Sequence, residues 1–118
     1  MKINILLPYK EKFDKNKASS VSITVRNNLL HSNYLNQIKI FGQNVEFPLF
    51  KDNFVGLKYS VLSFKSKNKF LANEMLKTIF NDLDKNQLIE IHNRPYLVEE
   101  ITRGNKFPVS LFFHNDPQ

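Results

Sequence analysis

The sequence predicts a single α/β domain built on a mainly parallel, twisted β-sheet with helices on both faces. Three observations predict it. Short runs rich in Ile, Leu and Val alternate with segments whose apolar residues fall at helical spacing. Two of the runs close on the same phrase, His-Asn, a polar residue and Pro: Ile91-His92-Asn93-Arg94-Pro95 and Phe113-His114-Asn115-Asp116-Pro117. With 118 residues, 42% of them hydrophobic, the chain has room for one core and enough apolar side chains to fill it.

Residues 2–7 are rich in Ile and Leu and read as a central strand, followed by a polar loop over 9–17. From Ala18 the apolar positions Val21, Val25 and Leu29 predict a helix over 18–32, with Ser19 and Ser20 near its start as caps. Residues 37–41 form the next short strand, closed by Gly42. The run 45–50 carries Pro48, which makes it an edge strand or a loop. Val55, Leu57, Tyr59 and Val61 alternate with smaller or polar residues, the period of a strand with one buried face. Over 68–83, Leu71, Met75 and Ile79 run beside Ala72, Leu76, Phe80 and Leu83, which gives a broad helical face. The first His-Asn strand follows. Pro95 then opens a helix that carries Leu97, Val98 and Ile101 and ends on Arg103-Gly104.

This order argues for βαβ units, whose right-handed crossovers place helices on both faces. The last strand, 109–113, is apolar enough to want cover on both faces, yet no helix follows Pro117. The sequence therefore predicts a fold cut after its fifth core strand, with a partner surface missing.

Cysteine is absent, which removes disulfides, thiolate nucleophiles and thiolate metal sites and fits a reducing compartment. The apolar stretch 3–7 is too short for a signal-peptide core or a membrane span, so a cytoplasmic protein is expected, peripheral at the inner face of the membrane if it meets one. The net charge of +6 is carried mostly by Lys, with Arg26, Arg94 and Arg103 as the guanidinium groups available for bidentate contacts. That composition favours a solvated basic surface over a nucleic-acid interface. The same charge would serve a weak attraction to anionic membrane or to a phosphorylated substrate.

In an open parallel sheet the carboxyl ends of the strands form the ligand edge, and both His-Asn pairs are delivered there. His92 and His114 have the chemistry of a general acid or base, a hydrogen-bond donor to sugar or phosphate, or a metal ligand. The plainer alternative is that each imidazole caps its strand and bonds a neighbouring carbonyl. A metal would need three or four ligands, and the nearest carboxylates are Glu90, on the same strand face as His92, and Asp116, so no metal is expected. His31 falls on a polar helix face. The loop over 8–20 has no glycine, which excludes a Gly-rich dinucleotide fingerprint and a P-loop. Ser19 and Ser20, with Lys15 and Lys17 nearby, either meet an anion or simply cap the helix. No nucleophile elbow is present. The carboxylate pairs Asp82/Asp84 and Glu99/Glu100 read as solvated faces, whereas Glu11 and Asp14 border the candidate ligand edge.

Taken together, Lys2-Ile3-Asn4-Ile5-Leu6-Leu7-Pro8, the helix from Ala18, and the strand ends Glu90-Ile91-His92-Asn93-Arg94-Pro95 and Phe113-His114-Asn115-Asp116-Pro117 resemble the N-terminal half of a GT-B glycosyltransferase, similar to glycosyltransferase family 4. The resemblance runs from end to end of the chain through short motifs. It implies a Rossmann-like, acceptor-binding domain that faces a second, C-terminal domain across a cleft. It also implies retaining transfer of a sugar from a nucleotide-sugar donor to a glycan or lipid-linked acceptor in surface polysaccharide or lipopolysaccharide synthesis. Carried over by position, His92 becomes the catalytic histidine at the donor sugar. His114, Asn93, Asn115, Arg94 and Asp116 become substrate-binding groups, and Ser19 and Ser20 occupy the place of the donor-phosphate loop. The missing glycine there departs from the family pattern. No cofactor beyond the donor substrate is implied, and the isolated chain is expected to be inactive.

Two other classes compete. A non-catalytic basic α/β module for nucleic acid or an acidic partner would show steeply salt-dependent binding. A receiver-like or flavodoxin-like domain shares the element order, but Pro8-Tyr9-Lys10 is not the acidic strand end of a receiver, and flavin would colour the protein yellow.

Overall fold

The computed structural model describes residues 1–58, 66–103 and 107–112. Five strands form one all-parallel sheet: β1 (Lys2–Leu6), β2 (Ile38–Gln43), β3 (Phe54–Leu57), β4 (Gln87–His92) and β5 (Val109–Phe112). Their order is β3-β2-β1-β4-β5, so the sheet grows one way from β1 to β3 and then reverses to β4 and β5. Three α-helices accompany them: α1 (Ser20–Leu30), α2 (Lys67–Phe80) and α3 (Tyr96–Arg103).

The reversal explains where the helices lie. The step from β1 to β2 runs opposite to the steps from β3 to β4 and from β4 to β5, so crossovers of one hand put α1 on one face and α2 and α3 on the other. The cores agree. Val21, Val25 and Leu29 of α1 pack with Ile5, Leu7, Ile38 and Ile40. On the opposite face Leu71, Met75 and Ile79 of α2, with Leu97 and Ile101 of α3, pack with Leu6, Phe41, Ile89 and Ile91. Alternate residues of β1 thus serve opposite layers, as the pleat requires.

The helix predicted over 18–32 is shorter at both ends. Ser19 is its N-cap, accepting from the Ser22 N–H at 3.1 Å, while the buried Ser22 hydroxyl donates to the Glu11 carbonyl at 3.0 Å. Gly42, expected to close its strand, lies inside β2. A Cβ there would meet Leu7 and the Phe54 ring at ordinary contact distances of 3.5 and 3.6 Å, so this glycine neither ends the strand nor is required by lack of space. Residues 45–50 form a loop. It is tied to the first loop by Leu49 N–H to Phe13 O at 3.0 Å and Lys15 N–H to Phe47 O at 2.8 Å, with a bridge between Asp14 and Pro48. Phe13 itself is 1% exposed and stacks on Phe54 at 5.5 Å between centroids. The first loop, read from sequence as polar, is therefore anchored in the α1-side core.

Of the strand predicted over 55–61, β3 supplies the beginning, with Val55 and Leu57 against the α2 side; Tyr59 and Val61 lie outside the described residues. Gly104, expected to end α3, lies outside them as well. At the amino edge of the sheet Asn4, 2% exposed, donates to Gln87 Oε1 at 2.7 Å and to the Leu88 carbonyl at 3.2 Å. Beside this pair Lys2 binds Asp82 at 2.6 Å, so Asp82 is not simply a solvated carboxylate. The lysine's hydrogen bond is the main reason that the Asp82 carboxyl is lowered to about 2.

Candidate functional site

The strand order reverses between β1 and β4, and the crevice outside the carboxyl ends of these strands is where open α/β sheets bind ligands. Each strand delivers a polar segment there. β1 runs into Pro8-Tyr9-Lys10, and β4 ends on His92, followed by Asn93, Arg94 and Pro95.

His92 ends β4 with its side chain on the α1 face, as do Glu90 and, from β5, Phe112. The imidazole is 2% exposed. Its Nε2 lies 2.8 Å from Glu90 Oε2, and its ring stacks on Phe112 at 5.1 Å with the planes 28° apart. Residues two apart on a strand share a face, which is why the sequence phrase Glu90-Ile91-His92 makes a carboxylate and imidazole pair while Ile91 enters the opposite core. Both members of the pair line a cavity of about 180 Å³ under α1, walled by Ile3, Ile5, Leu29 and Phe112.

Asn93 has φ of 57°, the left-handed conformation that Asn accepts more readily than most residues. This single residue turns the chain from strand to helix: its N–H still bonds to Phe112 O at 3.1 Å, and the Leu97 N–H reaches back to Arg94 O at 3.0 Å. Arg94 donates from Nη1 to Asn93 O at 2.7 Å, which braces the same turn.

On the α2 side of the crevice the structure assembles a cluster that no sequence pattern indicated. The Tyr9 N–H donates to Asn68 Oδ1 at 2.6 Å, Asn68 Nδ2 donates to the Tyr96 hydroxyl at 3.0 Å, and Lys67 Nζ donates to the Tyr9 hydroxyl at 3.1 Å. Lys67 also sits 4.2 Å from the centre of the Tyr9 ring. Its hydrogen bond, and then its charge, hold the Tyr9 hydroxyl below the ordinary tyrosine pKa. The end of β1 and the first turns of α2 and α3 are thereby joined into one rim. Lys67 and Lys69 lie in the first turn of α2, which itself holds no acidic residue, while Glu99 and Glu100 of α3 line a pocket with Lys69 and Tyr96. The Tyr9 and Lys67 part of the rim is rich in donors, suited to hydroxyl and anionic groups.

Of the sequence-derived site residues, His92, Asn93 and Arg94 come together at the end of β4. Ser19 and Ser20 stand at the start of α1, where Ser19 is engaged as the cap. His114, Asn115 and Asp116 lie outside the described residues. His31 is exposed. Among the described residues no group of three His, Asp or Glu side chains converges as a metal site would require. Among them, too, no helix is long and apolar enough to cross a membrane.

Strand order, helix placement and polar crevice define the class: a Rossmann-like α/β domain with a polar crevice at the β1/β4 switch point. Comparison of the chain with protein-family models, with curated proteins and with solved structures finds no match.

Proposed function

We propose that this chain is the N-terminal, acceptor-side domain of a retaining GT-B glycosyltransferase that moves a sugar from a nucleotide-sugar donor to a glycan or lipid-linked acceptor of a surface polysaccharide or lipopolysaccharide. The observation that carries the reading is the strand order. It sets the end of β4, with His92, Asn93 and Arg94, beside the end of β1 at the point of reversal, where ligands of such sheets bind. The rim of Tyr9, Lys67, Asn68 and Tyr96 gives that edge hydroxyl, amide and ammonium groups of the kind that recognise glycans and phosphates. The sequence resemblance supplies the reaction class.

In this reading the nucleotide sugar lies between the crevice and a second domain. The second domain holds most of the donor, and closure keeps water from the developing oxocarbenium ion. His92 contributes a hydrogen bond at the sugar, and the Lys67 ammonium at Tyr9 favours the departing diphosphate.

The test is sugar transfer by the two-domain enzyme with and without His92. Radiolabelled UDP-, GDP- and ADP-sugars are supplied with lipid-linked or glycan acceptors, and His92→Ala is expected to lower turnover by about 100-fold or more, on the scale of a lost group at the reacting centre. Absence of transfer from every donor, or turnover unchanged in His92→Ala, would overturn the proposal.

A further inference from the structure

We infer that Glu90 is a positioning residue for His92, fixing which imidazole nitrogen carries the proton and which way the ring faces. The inference stands on geometry; its consequence for turnover rests on the glycosyl-transfer reading above.

The contact that carries it is the 2.8 Å approach of His92 Nε2 to Glu90 Oε2. An ionised carboxylate accepts hydrogen bonds and cannot donate one, so the contact is a bond only when Nε2 holds the proton. In the neutral ring Nδ1 then carries the lone pair. The opposite tautomer would set two lone pairs against each other across the same distance.

Orientation is fixed along with protonation. A half-turn of the ring about χ2 would present a ring carbon to the carboxylate in place of the N–H. It would also have to proceed against the Phe112 ring stacked on the imidazole at 5.1 Å. The bond lies against a mostly apolar cavity wall, where water competes poorly for the carboxylate and a charge-assisted bond strengthens. Glu90 keeps partial contact with solvent, with 28% of its side chain exposed, so the pair escapes the full desolvation of two buried groups. One strand supplies both partners of this bond.

A bond of this kind favours the Nε2–H tautomer by roughly tenfold or more. Nitrogen-15 NMR of the imidazole reads this directly, because a protonated ring nitrogen and a lone-pair nitrogen resonate far apart. In the wild-type chain at a pH where the ring is neutral, Nε2 is expected in the protonated range and Nδ1 in the lone-pair range. Glu90→Ala is expected to move both shifts toward averaged values, and Glu90→Gln, whose amide oxygen still accepts, to keep the wild-type pattern. Amide spectra of each variant check that the sheet is intact. Wild-type shifts retained in Glu90→Ala would overturn the inference whatever the turnover.

In the two-domain enzyme Glu90→Ala is expected to lower kcat by roughly tenfold or more at unchanged KM, with recovery in Glu90→Gln. If the shifts move as expected while both Glu90→Ala and His92→Ala transfer sugar at the wild-type rate, the positioning stands and the assignment of His92 to the transfer centre falls. If His92→Ala is impaired and Glu90→Ala is not, Glu90 has no positioning role in transfer.

Discussion

Phe13→Ala tests whether the first loop is a structural part of the domain. Phe13 is 1% exposed, stacks on Phe54, and lies in the α1-side core with Leu7, Val21 and Ile40. Truncation to Ala removes a buried ring and leaves a cavity that the surrounding strands and α1 cannot fully close, a change that costs about 3–5 kcal/mol. A urea slope of about 1.5 kcal/mol/M for a chain of this size turns that loss into a fall of roughly 2–3 M in the unfolding midpoint. Thermal unfolding would drop by about 12–20 °C at roughly 4 °C per kcal/mol. The assay is equilibrium urea unfolding followed by far-UV circular dichroism, with Phe47→Ala as control. Phe47 belongs to the partner loop but is 51% exposed, so its truncation should stay within about 0.5 kcal/mol. A loss below about 1 kcal/mol for Phe13→Ala, with an unchanged slope, would refute the anchoring of this loop.

Three further outcomes follow from the packing. Gly56→Ala should cost about 1–3 kcal/mol in urea unfolding, because a Cβ there collides with the Asn44 side chain and comes within 3.0 Å of its Cα, whereas Gly42→Ala meets only ordinary contacts and should cost less. Asn4→Ala should cost about 2–3 kcal/mol by leaving Gln87 Oε1 buried without its donor, and the double replacement Asn4→Leu with Gln87→Leu should cost less than the two singles summed. The Asp82 carboxyl is lowered from 3.8 to about 2 on folding, so its contribution is fully present above about pH 4 and is lost as the pH falls through 2. Lys2→Met should therefore flatten the dependence of stability on pH between about 4 and 2, measured as urea midpoints across that range.

The alternation of apolar runs was sufficient to read the sheet, because buried parallel strands and amphipathic helices write their periods into the chain. α2 illustrates this: Leu71, Met75 and Ile79 are buried as the spacing predicts, and the helix runs Lys67–Phe80 against an expected 68–83. Leu83, counted on its apolar face, is exposed beyond the helix end. Phe13 was not legible, since one aromatic in a lysine-rich loop has no period, and its burial depends on a second loop more than thirty residues away. Gly42 misled for a different reason: a glycine signals a turn only when the backbone needs it, and Gly42 lies inside β2 with room for a Cβ. At the site, the shared face of Glu90 and His92 followed from strand alternation alone. The meeting of Tyr9, Lys67, Asn68 and Tyr96 did not, because it is created by strand order, which places the end of β1 beside helices far along the chain.

The buried amide pair of Asn4 and Gln87 has a consequence for how the sheet finds its alignment. Sliding β4 by two residues against β1 would return every apolar side chain to its proper layer, because the pleat repeats with that period. Hydrophobicity alone is thus nearly blind to such a slip between two Ile-rich strands. The amides are not. Gln87 stands opposite Lys2 and reaches diagonally to Asn4, so a two-residue slip that moves it away from Asn4 would add about 6.6 Å to their offset and strand two polar groups in the interior. The pair works as a stop against slippage in that direction, and a chain with two leucines in its place should lose that stop.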